Sequence, residues 1–467
     1  MAKLLVWTVV AFSCVAGDVM AQTSAEALID DSRQLLKELV AIDTSEPNGS
    51  TTPAAERIRA FLLAAGYPAD DVVVAGADSK RGNLVARLRG RGTARPVLFL
   101  AHLDVVPALR EDWTTDPYAL VERDGYYYGR GTTDDKQFCA IFAAVFARLK
   151  REGFVPDRDL ILALTAGEET GPDAATNGVI WLLANRRPLI DAAYVINGDA
   201  AGGGIDPQGR YLGFGVQAAE KLYADFTLEA THEGGHSSRV VPDNPIYSVA
   251  RALTRIEALK LPFKVNDITR GFFGFLATRE SGTRAADLRA IAAGTPDDAA
   301  MTRLAEADPS LNAQLRTTCV ATQTSAGHAP NALPQRARAN VNCRIFPGET
   351  PAEVQAALVR AIGDPKVSVT HTSGVSSSPQ PRIDAAVLGL ITKAAKATWP
   401  GVPVVPVLEV GATDGLFLRQ AGYDVYGLNH FQRDEDARAH GKDERIGIRQ
   451  FDEAARFSHT LATLVAR

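Results

Sequence analysis

Histidines and carboxylates sit in this chain at places where they could do chemistry together. His102-Leu103-Asp104 closes one apolar run, Gly167-Glu168-Glu169-Thr170-Gly171 a second, and Asn197-Gly198-Asp199 a third. A fourth run leads to Ala439-His440-Gly441-Lys442-Asp443-Glu444, and a glycine-rich loop, Gly129-Arg130-Gly131-Thr132-Thr133-Asp134-Asp135-Lys136, lies between the first two. Imidazole nitrogen and carboxylate oxygen together suit zinc and similar divalent ions. A carboxylate shared by two such ions holds them about 3.5–4 Å apart, where they acidify a water and polarise a carbonyl. The neighbours Glu168 and Glu169 suit a division of labour: one binds metal, the other carries the water's proton to a leaving nitrogen. A lone carboxylate at a strand end is usually a helix cap or a solvated loop residue. The ordered set, each member after a buried strand or a glycine turn, points to a two-metal centre.

The elements that must position these residues are short and continuously apolar: Val97–His102, Leu160–Thr165, 193–197 and 423–428. Runs of this length suit strands buried on both faces, as in a parallel sheet, whose ligands gather at the strands' carboxyl ends. A helical pattern at about 25–63 precedes them and others, such as 138–150, lie between them, so the core is of α/β class. From about residue 220 the texture changes. Residues 222–228 alternate, a helix follows at 245–259, strands at 317–324 and 336–345, a helix at 352–362 and a strand at 366–371. That order predicts a small ferredoxin-like domain carrying a helical, charged insertion at about 267–315. The expected organisation is a catalytic domain in two segments, 25–218 and 379–467, with a second domain, 219–378, inserted between them.

The chain has 467 residues and a net charge of -5, with no basic stripe, which argues against a nucleic-acid partner. Lys3, the apolar residues 4–12 and Val19-Met20-Ala21 read as a cleavable signal peptide over 1–21, cut after Ala21, so the mature chain is expected to be periplasmic or secreted. The alternatives are a buried first helix, or a lipoprotein at Cys14, for which Ala11-Phe12-Ser13 is a poor lead. No later stretch is long and apolar enough to span a membrane. Loss of the leader leaves Cys139, Cys319 and Cys343, which form no CxxC pair, so a metal must rest on His, Asp and Glu. Whether Cys319 and Cys343 pair stays open.

His232-Glu233-Gly234-Gly235-His236 also fits HExxH, a zinc motif that works only on a helix. Two central glycines, each costing about 1 kcal/mol there, and a strand-like approach argue against a helix. The HExxH endopeptidase remains the alternative enzyme, and a non-catalytic periplasmic binding relative the alternative outside enzymes. Glu168 argues against the latter, since a binding scaffold needs no spare base beside Glu169.

The segments HLDVVP, GRGTTDDK, GEETG, NGDAAGG, GGHSS and AHGKDE together resemble peptidase family M20, a family of carboxypeptidases, dipeptidases, aminoacylases and desuccinylases. The resemblance runs over nearly all of the mature chain. It implies a zinc-hydrolase α/β/α catalytic domain with an inserted ferredoxin-like lid and dimerisation domain. It implies His102, Asp134, Glu169, Asp199 and His440 as ligands of two divalent ions, zinc first, with cobalt or manganese equally suited by the donors. Asp134 would bridge, Glu168 would be the general acid/base, and Asp104 would orient His102 from behind. His236 would stabilise an oxyanion. Asn331 and Arg344 would contact substrate, and Gly411 and Thr413, in a loop like the family's GGTD, would cradle its carboxylate end. The expected reaction is hydrolysis of an amide beside a free carboxylate, in a small peptide or an N-acyl amino acid, by a possible homodimer formed through the lid. Two departures stand out: Gln137 replaces the usual Gly after the DDK lysine, and Asp199, where the family varies between Asp and Glu, tilts the reading towards dipeptidases and aminopeptidases.

Overall fold

The structure, a computed structural model, describes residues 26–170, 175–374 and 377–467. The leader read at 1–21, with Cys14, lies outside the described residues, as does Gly171. The chain forms two compact units. Residues up to Phe214, Asp384–Val404 and Leu428–Arg467 make the first; Gly215–Ile383 and Val405–Gly427 make the second.

In the first unit, five neighbouring strands of a larger mixed sheet are β1 (Val72–Gly76), β2 (Gly82–Leu88), β3 (Val97–His102), β4 (Leu160–Thr165) and β5 (Tyr194–Asn197), in the order β1-β2-β4-β3-β5. β3 runs parallel to both β4 and β5, and every residue of β3 and β4 is buried, which is why their sequences are unbroken apolar runs. The sheet is mixed rather than purely parallel, because the hairpin β1–β2 joins it antiparallel to β4. The helix Lys136–Arg151 packs on it edge to face, Phe142 and Phe146 lying 5.3 and 5.7 Å from Phe99. The stretch read as one helix at 25–63 is two, residues 26–40 and Thr52–Ala64. Pro47 lacks an N–H and turns Glu46 away from helical geometry, so the helix cannot run through.

The second unit contains an antiparallel sheet of β6 (Leu222–Thr231), β7 (Thr318–Ala326), β8 (Arg336–Ile345) and β9 (Ser368–His371), ordered β7-β8-β6-β9. Leu222, Ala224, Phe226, Leu228 and Ala230 face inwards and pack with Val341, Val354 and Leu358 from β8 and the helix Pro351–Ile362. That helix starts where its sequence says it should. Thr350 and Glu353 form a capping box, Pro351 fills the first turn, and Gly363 closes it at φ +55. Cys319 and Cys343, opposite each other on β7 and β8, form a disulfide. The insertion is helical from Asp267 to Leu315 and has its own core of Phe273, Leu288, Ile291, Leu304, Leu311 and Leu315. The run at 423–428 yields a strand, Asp424–Gly427, within this second unit, where Gly427 pairs with Gln217. No helix among the described residues is long and apolar enough to cross a membrane.

Candidate metal centre

Strand β3 ends in His102, whose side chain is buried. Its Nε2 lies 2.9 Å from Asp134 Oδ1. The other oxygen of Asp134 lies 3.1 Å from Nε2 of His440, and that same nitrogen is 2.9 Å from Glu169 Oε1. One carboxylate therefore stands between two imidazoles from distant parts of the chain. Ligand atoms of His102, Asp134 and Glu169 lie within 4.8 Å of one another, and so do those of His102, Glu168 and Asp199. The structure thus gathers His102, Asp134, Glu168, Glu169, Asp199 and His440 in the first unit.

The backbone that delivers these groups is tightly specified. Gly167 turns β4 towards Glu168 at φ +77, and a Cβ there would fall 2.2 Å from the carbonyl oxygen of Thr176. The Asp104 carboxylate accepts the main-chain N–H groups of Glu168 and Glu169 at 3.2 and 3.0 Å. Behind His102, Nδ1 is 3.0 Å from the main-chain oxygen of Asp104 and 3.8 Å from its carboxylate. The backbone of Asp104 thus orients the imidazole, while its side chain holds the Glu168–Glu169 turn. Lys136 is buried, donates to the carbonyls of Leu39 and Ile42 at 2.9 and 2.7 Å, and is pushed down to about 8 by burial. The Gln137 amide donates to the Thr133 carbonyl at 2.6 Å, while its own oxygen is buried without a hydrogen-bond partner among the described residues.

The electrostatics are those of a site that demands positive charge. Burial presses Asp134 towards its neutral form, but hydrogen bonds from His102 and His440 prevail and hold it below the ordinary carboxylate range. Its hydrogen bonds to Asp134 and Glu169 push His440 up to about 10. Burial opposes a charge on His102, yet Asp134 raises its pKa well above the usual value. Asp199 is held far above the carboxylate range by burial and then by the charge of Asp134. Protonated imidazoles meet part of this demand. Divalent cations meet it fully, and the nitrogen-and-oxygen donor set is one that zinc, cobalt or manganese accepts.

Glu444 is a residue whose role the sequence reading missed. It is fully buried at the back of the loop that carries Asp134, where Arg130 Nη1 donates to it at 2.7 Å. It lies in the AHGKDE segment, four residues after His440, and that proximity was the available signal.

The remaining expected site residues lie in the second unit. His236 forms a short strand, Gly235–His236, paired with Ala332–Leu333, and Ser237 N–H donates to the Asn331 carbonyl at 3.1 Å, so the structure brings His236 and Asn331 together. Ser238 N–H donates to His236 Nδ1 at 3.2 Å, which places the proton of a neutral ring on Nε2. Gly234 and Gly235, at φ +86 and +141, break any helix over 232–236, so the HExxH alternative lacks the geometry it needs. Arg344 on β8 lies over the Tyr223 ring at 4.8 Å, and its Nη1 is buried without a hydrogen-bond partner among the described residues. The loop at 410–415 does cradle a carboxylate, its own: Val410 and Gly411 N–H groups converge on Glu409 Oε1 at 2.9 and 3.0 Å. Thr413 is turned inwards, its hydroxyl donating to Glu220 at 2.8 Å.

Comparison with known proteins fits this geometry. Human N-fatty-acyl-amino acid synthase/hydrolase PM20D1 is 28% identical over 383 residues, covering 78% of this chain and 72% of that protein. The M20 family metallo-carboxypeptidase Sso-CP2 from Sulfolobus solfataricus superposes with a TM-score of 0.69 at 18% identity, over 93% of this chain and 99% of that one. Human carnosine dipeptidase 1 does so with a TM-score of 0.67 at 16% identity, over 95% and 98%. The model of Peptidase family M20/M25/M40 matches residues 98–464, from inside β3 to the last helix, and so spans every residue gathered around Asp134. On that match the chain belongs to peptidase family M20/M25/M40 and is a hydrolytic enzyme.

Proposed function

We propose that this enzyme hydrolyses an amide bond beside a free carboxylate, in a small peptide or an N-acyl amino acid. The observation that carries this is Asp134, whose two oxygens face His102 and His440 separately while Glu168 and Glu169 adjoin them. His102, Asp134, Glu169, Asp199 and His440 would hold two divalent ions, zinc in the first instance. Such ions acidify a water and polarise the scissile carbonyl. Glu168, kept off the ligand set, takes the proton from the attacking water and returns it to the leaving nitrogen. Asp104 holds that glutamate's backbone in place. His236, with its proton on Nε2, donates to the oxyanion. Arg344 receives the substrate's carboxylate on its unpartnered guanidinium nitrogen, with Asn331 as a further substrate contact; Gly411 and Thr413, expected to cradle that carboxylate, are instead engaged with Glu409 and Glu220.

The substrate class draws support from the names of similar proteins: an N-fatty-acyl-amino acid hydrolase, a carboxypeptidase and a dipeptidase. A catalytic domain of 25–218 and 379–467, a lid at 219–378 and a homodimer formed through it belong to the same reading. So does export to the periplasm or beyond, where a disulfide such as Cys319–Cys343 persists. The test is Glu168→Gln. Turnover of a mixed panel of dipeptides and N-acyl amino acids should fall by about 10²–10⁴-fold, with metal content unchanged. Turnover at the wild-type rate would remove Glu168 from the mechanism.

A further inference from the structure

Glu444 and Arg130 contribute no ligand atom, yet they tie together the two stretches that carry Asp134 and His440. Glu444 Oε1 accepts from the main-chain N–H and the hydroxyl of Thr133 at 2.7 and 3.0 Å. Its Oε2 accepts from Arg130 Nη1 at 2.7 Å and Gly131 N–H at 3.1 Å. The other terminal nitrogen of Arg130 donates to the carbonyl of His440 at 3.2 Å, and Gly129 N–H donates to the carbonyl of Glu444 at 3.1 Å. The guanidinium also lies over the Trp113 ring, at 5.1 Å. Residues 314 apart in sequence are thereby locked side by side.

The stretch that carries His440 needs this lock. Its backbone is left-handed at His440 and at Asp443, with φ +63 and +53. Such conformations in residues other than glycine cost about 1–3 kcal/mol each and persist only where the surroundings over-determine them. Asp443 is held from one side, accepting the N–H and hydroxyl of Thr114 at 2.8 and 3.0 Å. The His440 end is held through Arg130 and Glu444. His102 is different, since it closes a strand paired on both sides in the sheet.

We infer that Glu444 and Arg130 are positioning residues for the metal centre, fixing His440 against Asp134 and so setting the affinity of the ion on the His440–Glu169 side. The inference rests on the two-ion reading above. Replacing a whole buried ion pair by apolar residues is often neutral for stability, whereas removing one partner is costly, so the geometric role is read from the two ion affinities and not from stability alone. The His440 side should loosen while the His102–Asp199 side keeps its grip.

The test is zinc binding to the metal-free full mature protein in a competing zinc buffer, with the melting temperature of each metal-free protein measured alongside. Wild type, Glu444→Gln, Thr133→Ala and the reference His440→Ala are compared. Gln keeps the shape but sets an NH2 against the two donors that one of the carboxylate oxygens accepts. In Glu444→Gln the first ion should bind within about threefold of wild type and the second about 10–100-fold more weakly, as for other residues that buttress metal ligands. Thr133→Ala, which removes one hydroxyl donor, should move the second ion the same way by less, and carries the test if Glu444→Gln does not fold. Two ions bound as in wild type by the variants would overturn this inference alone. So would an equal weakening of both ions together with a lower metal-free melting temperature, the mark of a merely structural residue. A wild type that binds no zinc would overturn the metal centre and the inference with it.

Discussion

Replacing Asp104 by Asn separates two roles that one residue could play beside the metal. Its carboxylate, 1% exposed, accepts the N–H groups of Glu168 and Glu169, one on each oxygen. Asn offers one oxygen and one NH2, so in either orientation one of those N–H groups faces another donor. A hydrogen bond to a charged group contributes about 1.5–3 kcal/mol, and losing about 2 kcal/mol from the turn that carries the proposed base corresponds to about 30-fold in rate. His102 is oriented by the main-chain oxygen of Asp104, which the substitution leaves in place. The variant should therefore show kcat/KM down about 30-fold at saturating zinc, with zinc affinity changed much less. Steady-state kinetics on an N-acyl amino acid and a dipeptide, with zinc titration of the same preparations, measure both. Unchanged kcat/KM in a folded variant would refute the positioning role. A large loss of zinc affinity with kcat/KM intact at saturating zinc would return the carboxylate to the service of His102.

Three further outcomes follow from the same geometry. Gly167→Ala forces a Cβ to within 2.2 Å of the Thr176 carbonyl at a left-handed position, so the turn must shift and turnover should fall at least about tenfold for a displacement costing about 1.4 kcal/mol or more; a fully active alanine variant would contradict the turn. Glu220 is pushed up to about 7 by burial, against the pull of Arg419, Thr413 and Gln217. A pKa raised on folding gives stability that is complete below the unfolded value and lost as pH rises through the folded one. The wild type should thus lose melting temperature relative to Glu220→Gln as pH rises from about 4.5 to about 7, and a pH-independent difference in calorimetry would count against it. Cys319 and Cys343 close a loop with a sequence separation of 24, for which chain entropy alone gives about 3.5 kcal/mol; reductant should lower the melting temperature, and an unmoved transition would contradict that.

The residues gathered around Asp134 were legible because buried strands betray themselves as apolar runs and ligands in such sheets lie at the strands' carboxyl ends. His102, Glu168, Glu169 and Asp199 could be noted from that alone, while the choice of Asp134 from the Asp134-Asp135 pair and the division of roles came only from the family resemblance. The six-element order of the second unit was legible for a similar reason, since β6 alternates strictly and the helix at Pro351 carries its cap in sequence. What stayed hidden depends on pairing across the chain. The hairpin β1–β2 is short and partly exposed. So is the pairing of Tyr126–Tyr128 with Arg445–Gly447, which brings the Asp134 loop alongside the His440 stretch. Without that pairing Glu444 is merely one more acid near a histidine. Asp104 is expected to orient His102, but a motif names a residue without saying which of its groups acts, and here the nearer group is the main-chain oxygen. Cys319 and Cys343 could be joined only once the register of β7 on β8 was known.

The most direct measurement is the metal content of the purified mature protein, with hydrolysis of dipeptides and N-acyl amino acids assayed before and after chelation. The account predicts about two ions per chain, as in two-metal hydrolases, and release of a free amino acid that stops on chelation and returns with zinc, cobalt or manganese. Turnover that persists in a chelated, metal-free protein would contradict it.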